Sequence, residues 1–407
     1  MSTAVHKATR RGFRDELRSA IARGELVPHY QPIVDIRSGR VLRLEALARW
    51  PDTTAEWVPP VRFVPVAERN GLIGPLLTSM LDQALRDLAG WRPQLPDLRV
   101  SMNLSARSLG RTRSDEAIMR ALDQAGASPD WLSLEITESV VVNDVGNARR
   151  HIERLRARGI RVEVDDFGTG YSSLRYLQLL AVDSVKIDRQ FVEASVKDRA
   201  SQTIVRAVVG LCHELGFEAV AEGVAERDVW DLLAALGCDS VQGHLIAPAM
   251  PAAEVAGWLD GWASRSGAFA SAVPRRPAGP VLEGTGPRVL VVDDDPGILT
   301  LVRDVLHNDG YRVETAANGL EALRSIEARR PSLVLVDMHM PILGGESFMK
   351  ALRERGIDVP VVVMSAGPAA HRWAAELGAQ GAIAKPFGIA DLLAVASRFV
   401  PQAALLH

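Results

Sequence analysis

The sequence predicts an α/β protein in two parts, a closed (β/α)8 barrel of the TIM type followed by a smaller open (βα)5 sheet of the flavodoxin-like type. Three observations lead there. Eight short β-rich segments alternate with amphipathic stretches through residues 1–263. Residues 264–287, rich in Ala, Gly, Ser and Pro, then break every hydrophobic period and read as a flexible linker. Five further apolar β segments with intervening helical stretches fill residues 288–407.

The bulk composition sets outer limits. A hydrophobic share of 47% lets both parts bury a core. The net charge of −3, with no block of like charges, gives no footprint for a nucleic acid partner. Cys212 and Cys238 are the only cysteines and suit buried thiols in a reducing compartment. The first twenty residues hold no apolar run of signal-peptide kind, and no uninterrupted apolar stretch of about 18 residues exists. A cytoplasmic protein without a membrane span is expected.

The barrel segments are VPHYQPIVD from Val27, LRLEALARW from Leu42, RVSMNLS from Arg99 and LSLEITES from Leu132. RVEVDDFG from Arg161, SVKID from Ser184, EAVAEGV from Glu218 and SVQGH from Ser240 complete the set. Helical periodicity marks 117–124, 146–158 and 200–215 between them. Strands alternating with helices imply a largely parallel sheet, and eight of them suit a closed barrel better than the alternative, an open doubly wound sheet.

The C-terminal ends of these strands carry Glu45, Asn103, Glu135, Asp165 with Asp166, Lys186, Glu222 and Gln242. In a parallel barrel they converge on one rim, where barrel enzymes hold their chemistry. A lone Asp at a strand end is ordinarily a cap or turn residue. A whole ring of polar groups is not explained that way. The clustered carboxylates would repel one another unless cations sat among them. Carboxylate and amide oxygens are hard donors, suited to Mg²⁺ or Mn²⁺, and the adjacent acids Asp165 and Asp166 suit two ions with one bridging carboxylate. Gly168 and Gly170 follow that pair and allow close approach of a ligand. Arg49, near the end of its strand, could fork onto a phosphate.

The runs YQPIV, EALARW, NLS, LEITES, DDFGTGYSSL, VDSVKID, AEGV and QGHLIAPAMP, in that order, resemble the EAL-domain cyclic di-GMP phosphodiesterases over residues 23–259. The resemblance implies that Glu45, Asn103, Glu135 and Asp165 hold a first metal ion. It implies that Asp165 bridges to a second, which Asp166, Glu222 and Gln242 help to hold. Lys186 would lie beside the attacking water, Gln31, Arg49 and Gln242 would meet the substrate, and Glu138 would steady the Asp165–Asp166 loop. Lys186, Glu222 and Glu138 thus count as catalytic candidates. The reaction implied is in-line attack of activated water on one phosphodiester, giving linear pGpG. Ala225 stands where the family usually has Glu after EGV, and Ala181 where Pro is common. The alternative is a non-catalytic cyclic di-GMP receptor or interaction scaffold. Such a protein would be expected to lack part of the metal set, and the set here is complete.

In the second part, RVLVVDDD, RVETAA, LVLVDMHMP, PVVVMSA and AIAKPF place Asp293, Asp294, Asp337, Ser365 and Lys385 at strand ends. Three acids would gather a divalent cation, and the hydroxyl and ammonium could hold a phosphoryl group. This part resembles the response-regulator receiver family. The resemblance makes Asp337 the phosphoacceptor, Asp293, Asp294 and Asp337 the ligands of one Mg²⁺, and Ser365 with Lys385 the phosphate-sensing pair. A sensor histidine kinase would be the phosphodonor. Asp295 extends the acidic run without an evident role. Ala382 replaces the aromatic residue usual three positions before Lys385. Both resemblances are compatible with a homodimer, although no interface is legible.

Overall fold

The computed structural model describes residues 2–51, 57–105, 107–108, 112–137, 145–168, 180–269, 286–367, 369–385, 387 and 389–400. The chain forms two compact units.

In the first unit eight staves close into a barrel: β1 (Val27–Asp35), β2 (Val41–Pro51), β4 (Arg99–Asn103), β5 (Leu132–Thr137), β6 (Arg161–Phe167), β7 (Ser184–Ile187), β8 (Glu218–Ala221) and β9 (Ser240–Gln242). The order runs β1-β9-β8-β7-β6-β5-β4-β2, and pairing of β1 with β2 closes the ring. Two short strands extend it, β3 (Trp57–Val58) on β2 and β10 (Met250–Pro251) on β1. The open-sheet alternative is thereby excluded.

Seven staves are parallel. β1 departs from the expected pattern, lying antiparallel to both β2 and β9. The cause is local. Only residues 36–40 separate β1 from β2, and a parallel crossover needs a dozen or more residues. The turn is built for reversal: Asp35 Oδ1 accepts from the Ser38 amide at 2.7 Å, and Gly39 takes φ 68°.

Strand alternation divides the barrel wall. Val100, Met102, Leu134, Ile136, Val162, Val164, Val185 and Ile187 are buried on the helix-facing side. Their neighbours in sequence point into the lumen and are polar: Ser101 and Asn103, Ser133 and Glu135, Glu163 and Asp165, Ser184 and Lys186. Barrels of this type usually fill the lumen with branched apolar side chains. Here the lumen is given over to charge.

The second unit holds a parallel sheet in the order β12-β11-β13-β14-β15, made of β11 (Arg288–Val292), β12 (Arg312–Ala316), β13 (Leu333–Asp337), β14 (Val361–Ala366) and β15 (Gly381–Lys385). Its near-continuous apolar strands are covered by helices, with Leu290, Val292, Val334, Val336, Phe348 and Val363 in the core. The order reverses between β11 and β13, which opens a crevice at the carboxyl ends of those strands. Among the described residues no helix is long and apolar enough to cross a membrane.

Candidate active site

Lys186 is the hub of the barrel rim. Its Nζ lies 2.6 Å from Glu222 Oε1, 2.9 Å from Glu135 Oε2, 3.2 Å from Glu45 Oε2 and 3.2 Å from Asp165 Oδ1. Asn103 Nδ2 donates to Glu45 Oε1 at 3.0 Å, and Gln242 Nε2 donates to Glu45 Oε2 at 2.6 Å and to Gln31 Oε1 at 3.1 Å. Gln31 Nε2 in turn donates to the Ala247 carbonyl at 3.1 Å. The reversed β1 makes this possible, since its register sets Gln31 against Glu45.

Asp165 and Asp166 are adjacent, so on a regular strand they would face opposite ways. The β6–β7 register breaks between Val164 and Phe167, and Asp166 adopts φ 57°. That left-handed conformation is uncommon for a residue with a Cβ and is typical of functional loops. As a result, oxygens of Asp165, Asp166 and Glu222 all lie within 4.8 Å of one another. Two glycines place Glu222. Gly223 has φ 72° and packs where a Cβ would meet Arg189 Cβ at 2.5 Å. A Cβ on Gly243 would fall 2.2 Å from the Val224 carbonyl oxygen. The close approach lets the Val224 amide donate to Gln242 O at 3.0 Å, tying the Glu222 loop to the end of β9.

The electrostatics follow from burial. Burial lifts Glu222 to about 8, with Lys186 opposing and Asp165 adding repulsion. Asp166 reaches solvent, yet partial loss of hydration and then repulsion from Asp165 push it up to about 6. Burial and the Glu45 charge hold Glu135 well above the carboxylate range. Burial acts the same way on Glu45, but Lys186 and the Gln242 amide outweigh it, and Glu45 is lowered. Lys186 is held well above its usual range because its acids outweigh burial.

The donor set fits hard divalent cations. Among the described residues, Glu135 Oε1 and Gln242 Oε1 are buried acceptors without a hydrogen-bond partner, and Asp165 Oδ1 has only the Lys186 ammonium at 3.2 Å. With all five carboxylates ionised, the charge against one ammonium would be about −4, which two divalent ions would cancel. Among the described residues, the oxygens offered at the rim are those of carboxylates and amides.

Arg49 is half-buried above this cluster and donates from Nη1 to the Ala48 carbonyl at 3.1 Å. Glu138 and Gly170 lie outside the described residues.

One layer deeper is a set of residues that strand-end reading passes over. Arg43, 1% exposed, pairs through Nε with Glu163 Oε1 at 3.2 Å and through Nη1 with Glu218 Oε1 at 3.1 Å. Ser240 Oγ also donates to Glu218. Arg43, Ser101, Ser133, Glu163, Ser184 and Ser240 each stand two positions before a rim residue, on the same strand face. That spacing was the available signal.

In the second unit Asp293 and Asp337 are buried at the ends of β11 and β13. Lys385 Nζ lies 2.5 Å from Asp293 Oδ2 and 3.2 Å from Asp337 Oδ2. Asp293, Asp294 and Asp337 offer oxygens within 4.8 Å of one another. Burial raises Asp293, against the pull of Lys385. Ser365 Oγ is buried and, among the described residues, has no hydrogen-bond partner. Asp295 acquires a structural account, since it caps helix Pro296–Asn308 by accepting from the Gly297 amide at 2.8 Å.

Fold and rim define a (β/α)8 barrel protein with an acidic centre suited to metal ions, joined to a doubly wound domain with a second acidic centre. The chain belongs to the EAL-domain family, whose description matches residues 14–249; residues 289–397 match the response regulator receiver domain. It is 37% identical over 248 residues to the cyclic di-GMP phosphodiesterase NbdA of Pseudomonas aeruginosa, covering 61% of this chain and 32% of that protein. It is 36% identical over 250 residues to the cyclic di-GMP phosphodiesterase PdeR of Escherichia coli, covering 61% and 38%. The chain thus spans about a third of the length of the curated relatives it matches. Among solved structures, the PaMucR phosphodiesterase in complex with c-di-GMP superposes with a TM-score of 0.57 at 37% identity, covering 59% of this chain and 98% of that one.

Proposed function

We propose that the barrel hydrolyses cyclic di-GMP to linear pGpG and that the receiver, phosphorylated at Asp337 by a sensor histidine kinase, modulates the rate. The carrying observation is the Lys186 cluster, in which every acid of the rim is present and Asp165, Asp166 and Glu222 converge within 4.8 Å. The relatives named as phosphodiesterases supply the substrate class.

In this reading Glu45, Asn103, Glu135 and Asp165 hold one Mg²⁺ or Mn²⁺ ion, and Asp165, Asp166 and Glu222 hold another. Such ions, when bound, lower the pKa of water and stabilise the departing ribose oxygen. The chain's own groups do the rest. Lys186, in reach of Glu135 and Glu222 at once, orients the attacking water by donating to it. Gln242 and Gln31, linked to each other, fix the phosphodiester against Glu45. Arg49 forks onto the second phosphate from above. Asp293, Asp294 and Asp337 hold one Mg²⁺ in the receiver, while Ser365 and Lys385 receive the phosphoryl oxygens. Residues 1–263, 264–287 and 288–407 act as enzyme, linker and receiver, in the cytoplasm, with a homodimer as a further assembly.

The test is chromatography of products formed from cyclic di-GMP with Mg²⁺ or Mn²⁺, using wild type and Glu45→Ala, with and without acetyl phosphate. Linear pGpG from wild type alone supports the enzyme. Well-folded protein that binds cyclic di-GMP and yields no product with any divalent metal would make it a receptor.

A further inference from the structure

The acidic cluster lies at the bottom of the site, and among the described residues β1, β2 and β3 form one wall above it. On β1, His29 stands two residues beyond Gln31 toward the mouth, roughly 7 Å at ordinary strand rise. On β2, Leu47 and Arg49 continue the face of Glu45, and the register sets His29 against Leu47. On β3, Trp57 pairs with Pro51, which shares that face with Arg49. The side chains agree with the parity, for the rings of His29 and Trp57 meet edge to face with centroids 4.8 Å apart. Trp57 stays 47% exposed. An open indole above a phosphodiester site, beside an imidazole and a guanidinium, has the makeup of a nucleobase platform: a π face for stacking and polar groups for the base edge.

We propose that His29 and Trp57 form a purine-binding wall, with one base of the cyclic dinucleotide stacked on Trp57 and its edge turned to His29 and Arg49. This rests on the phosphodiesterase reading and deepens it, because it assigns the base selectivity to residues outside the metal set.

The test compares wild type, Trp57→Ala, Trp57→Phe and His29→Ala on cyclic di-GMP and on bis(p-nitrophenyl) phosphate, a phosphodiester without a base. Trp57→Ala is expected to raise the KM for cyclic di-GMP about tenfold, in line with loss of one stacked base. It is expected to lower the ratio of kcat/KM for cyclic di-GMP to that for bis(p-nitrophenyl) phosphate by a similar factor, with Trp57→Phe recovering most of the loss. An unchanged KM, or equal losses on both substrates, would overturn the wall and leave Trp57 as packing for His29. Equilibrium dialysis of cyclic di-GMP against the same proteins without metal separates the two levels. If wild type turns over neither substrate, the enzymatic reading fails, while weaker dinucleotide binding by Trp57→Ala still upholds the wall and unchanged binding removes it.

Discussion

Lys186 and Glu222 meet at 2.6 Å in the barrel lumen, with three further acids within reach of the same ammonium. One cation serving four carboxylates leaves the cluster short of positive charge, and its response to pH and metal follows.

Glu222 at about 8 and Asp166 at about 6 sit above their ordinary 4.5 and 3.8. The folded, metal-free protein therefore keeps protons that the unfolded chain has released. Stability should fall as pH rises from about 4 to about 6 on account of Asp166, and up to about 8 on account of Glu222. Divalent ions bind the deprotonated acids, so they offset more at high pH. The rise in Tm on adding Mg²⁺ should be larger at pH 8 than at pH 6. Equal shifts in a thermal melt at both values would contradict this.

Arg43 should be difficult to remove alone. Arg43→Met leaves Glu163 and Glu218 without their cation in the lumen and should cost about 3–5 kcal/mol. The triple change Arg43→Met, Glu163→Leu, Glu218→Met should recover part of that, since no uncompensated charge then remains in the lumen, although Ser240 loses its acceptor. Urea unfolding of the three proteins decides. A single variant as stable as wild type would show that the triad carries little.

Gly243→Ala should destabilise by about 3 kcal/mol or more, because its Cβ would collide with the Val224 backbone. Displacement of the Glu222 loop should lower any phosphodiesterase rate with it. Gly257→Ala is the matched control. It lies exposed in helix Ala252–Arg265 with open space around a Cβ, and should stabilise by about 0.5–1 kcal/mol.

Asp337→Asn should abolish labelling by acetyl phosphate, since the carboxylate 3.2 Å from Lys385 is the proposed acceptor. Any effect of acetyl phosphate on cyclic di-GMP hydrolysis should vanish in the same variant. Phosphate-affinity gels report the first and the product assay the second. Persistent labelling would move the acceptor elsewhere.

The rim was legible in the sequence because a parallel barrel delivers the ends of its strands to one place. Glu45, Asn103, Glu135, Lys186 and Gln242 could be gathered from spacing alone, with no contact known. The direction of β1 was available in principle in the short DIRSGR link, but counting strands hides it. The inward turn of Asp166 was not legible, because it rests on a register break and a positive φ that no residue type announces. Arg43 was missed for another reason. An arginine in a strand reads as a solvated side chain, and only the ring of polar residues two positions below the rim reveals that this face is buried.

The reversal of β1 has an effect beyond the geometry of Gln31. In an all-parallel barrel the first strand would start at the far end, and its leading helix would be remote from the rim by the depth of the barrel. Here Val27 opens the strand at the mouth, opposite Arg49. Helix Ser2–Arg23 therefore hands the chain directly to the wall formed by His29 and Gln31. Only residues 24–26 lie between that helix and the strand, so any displacement of the helix is passed to His29 and Gln31 with little slack.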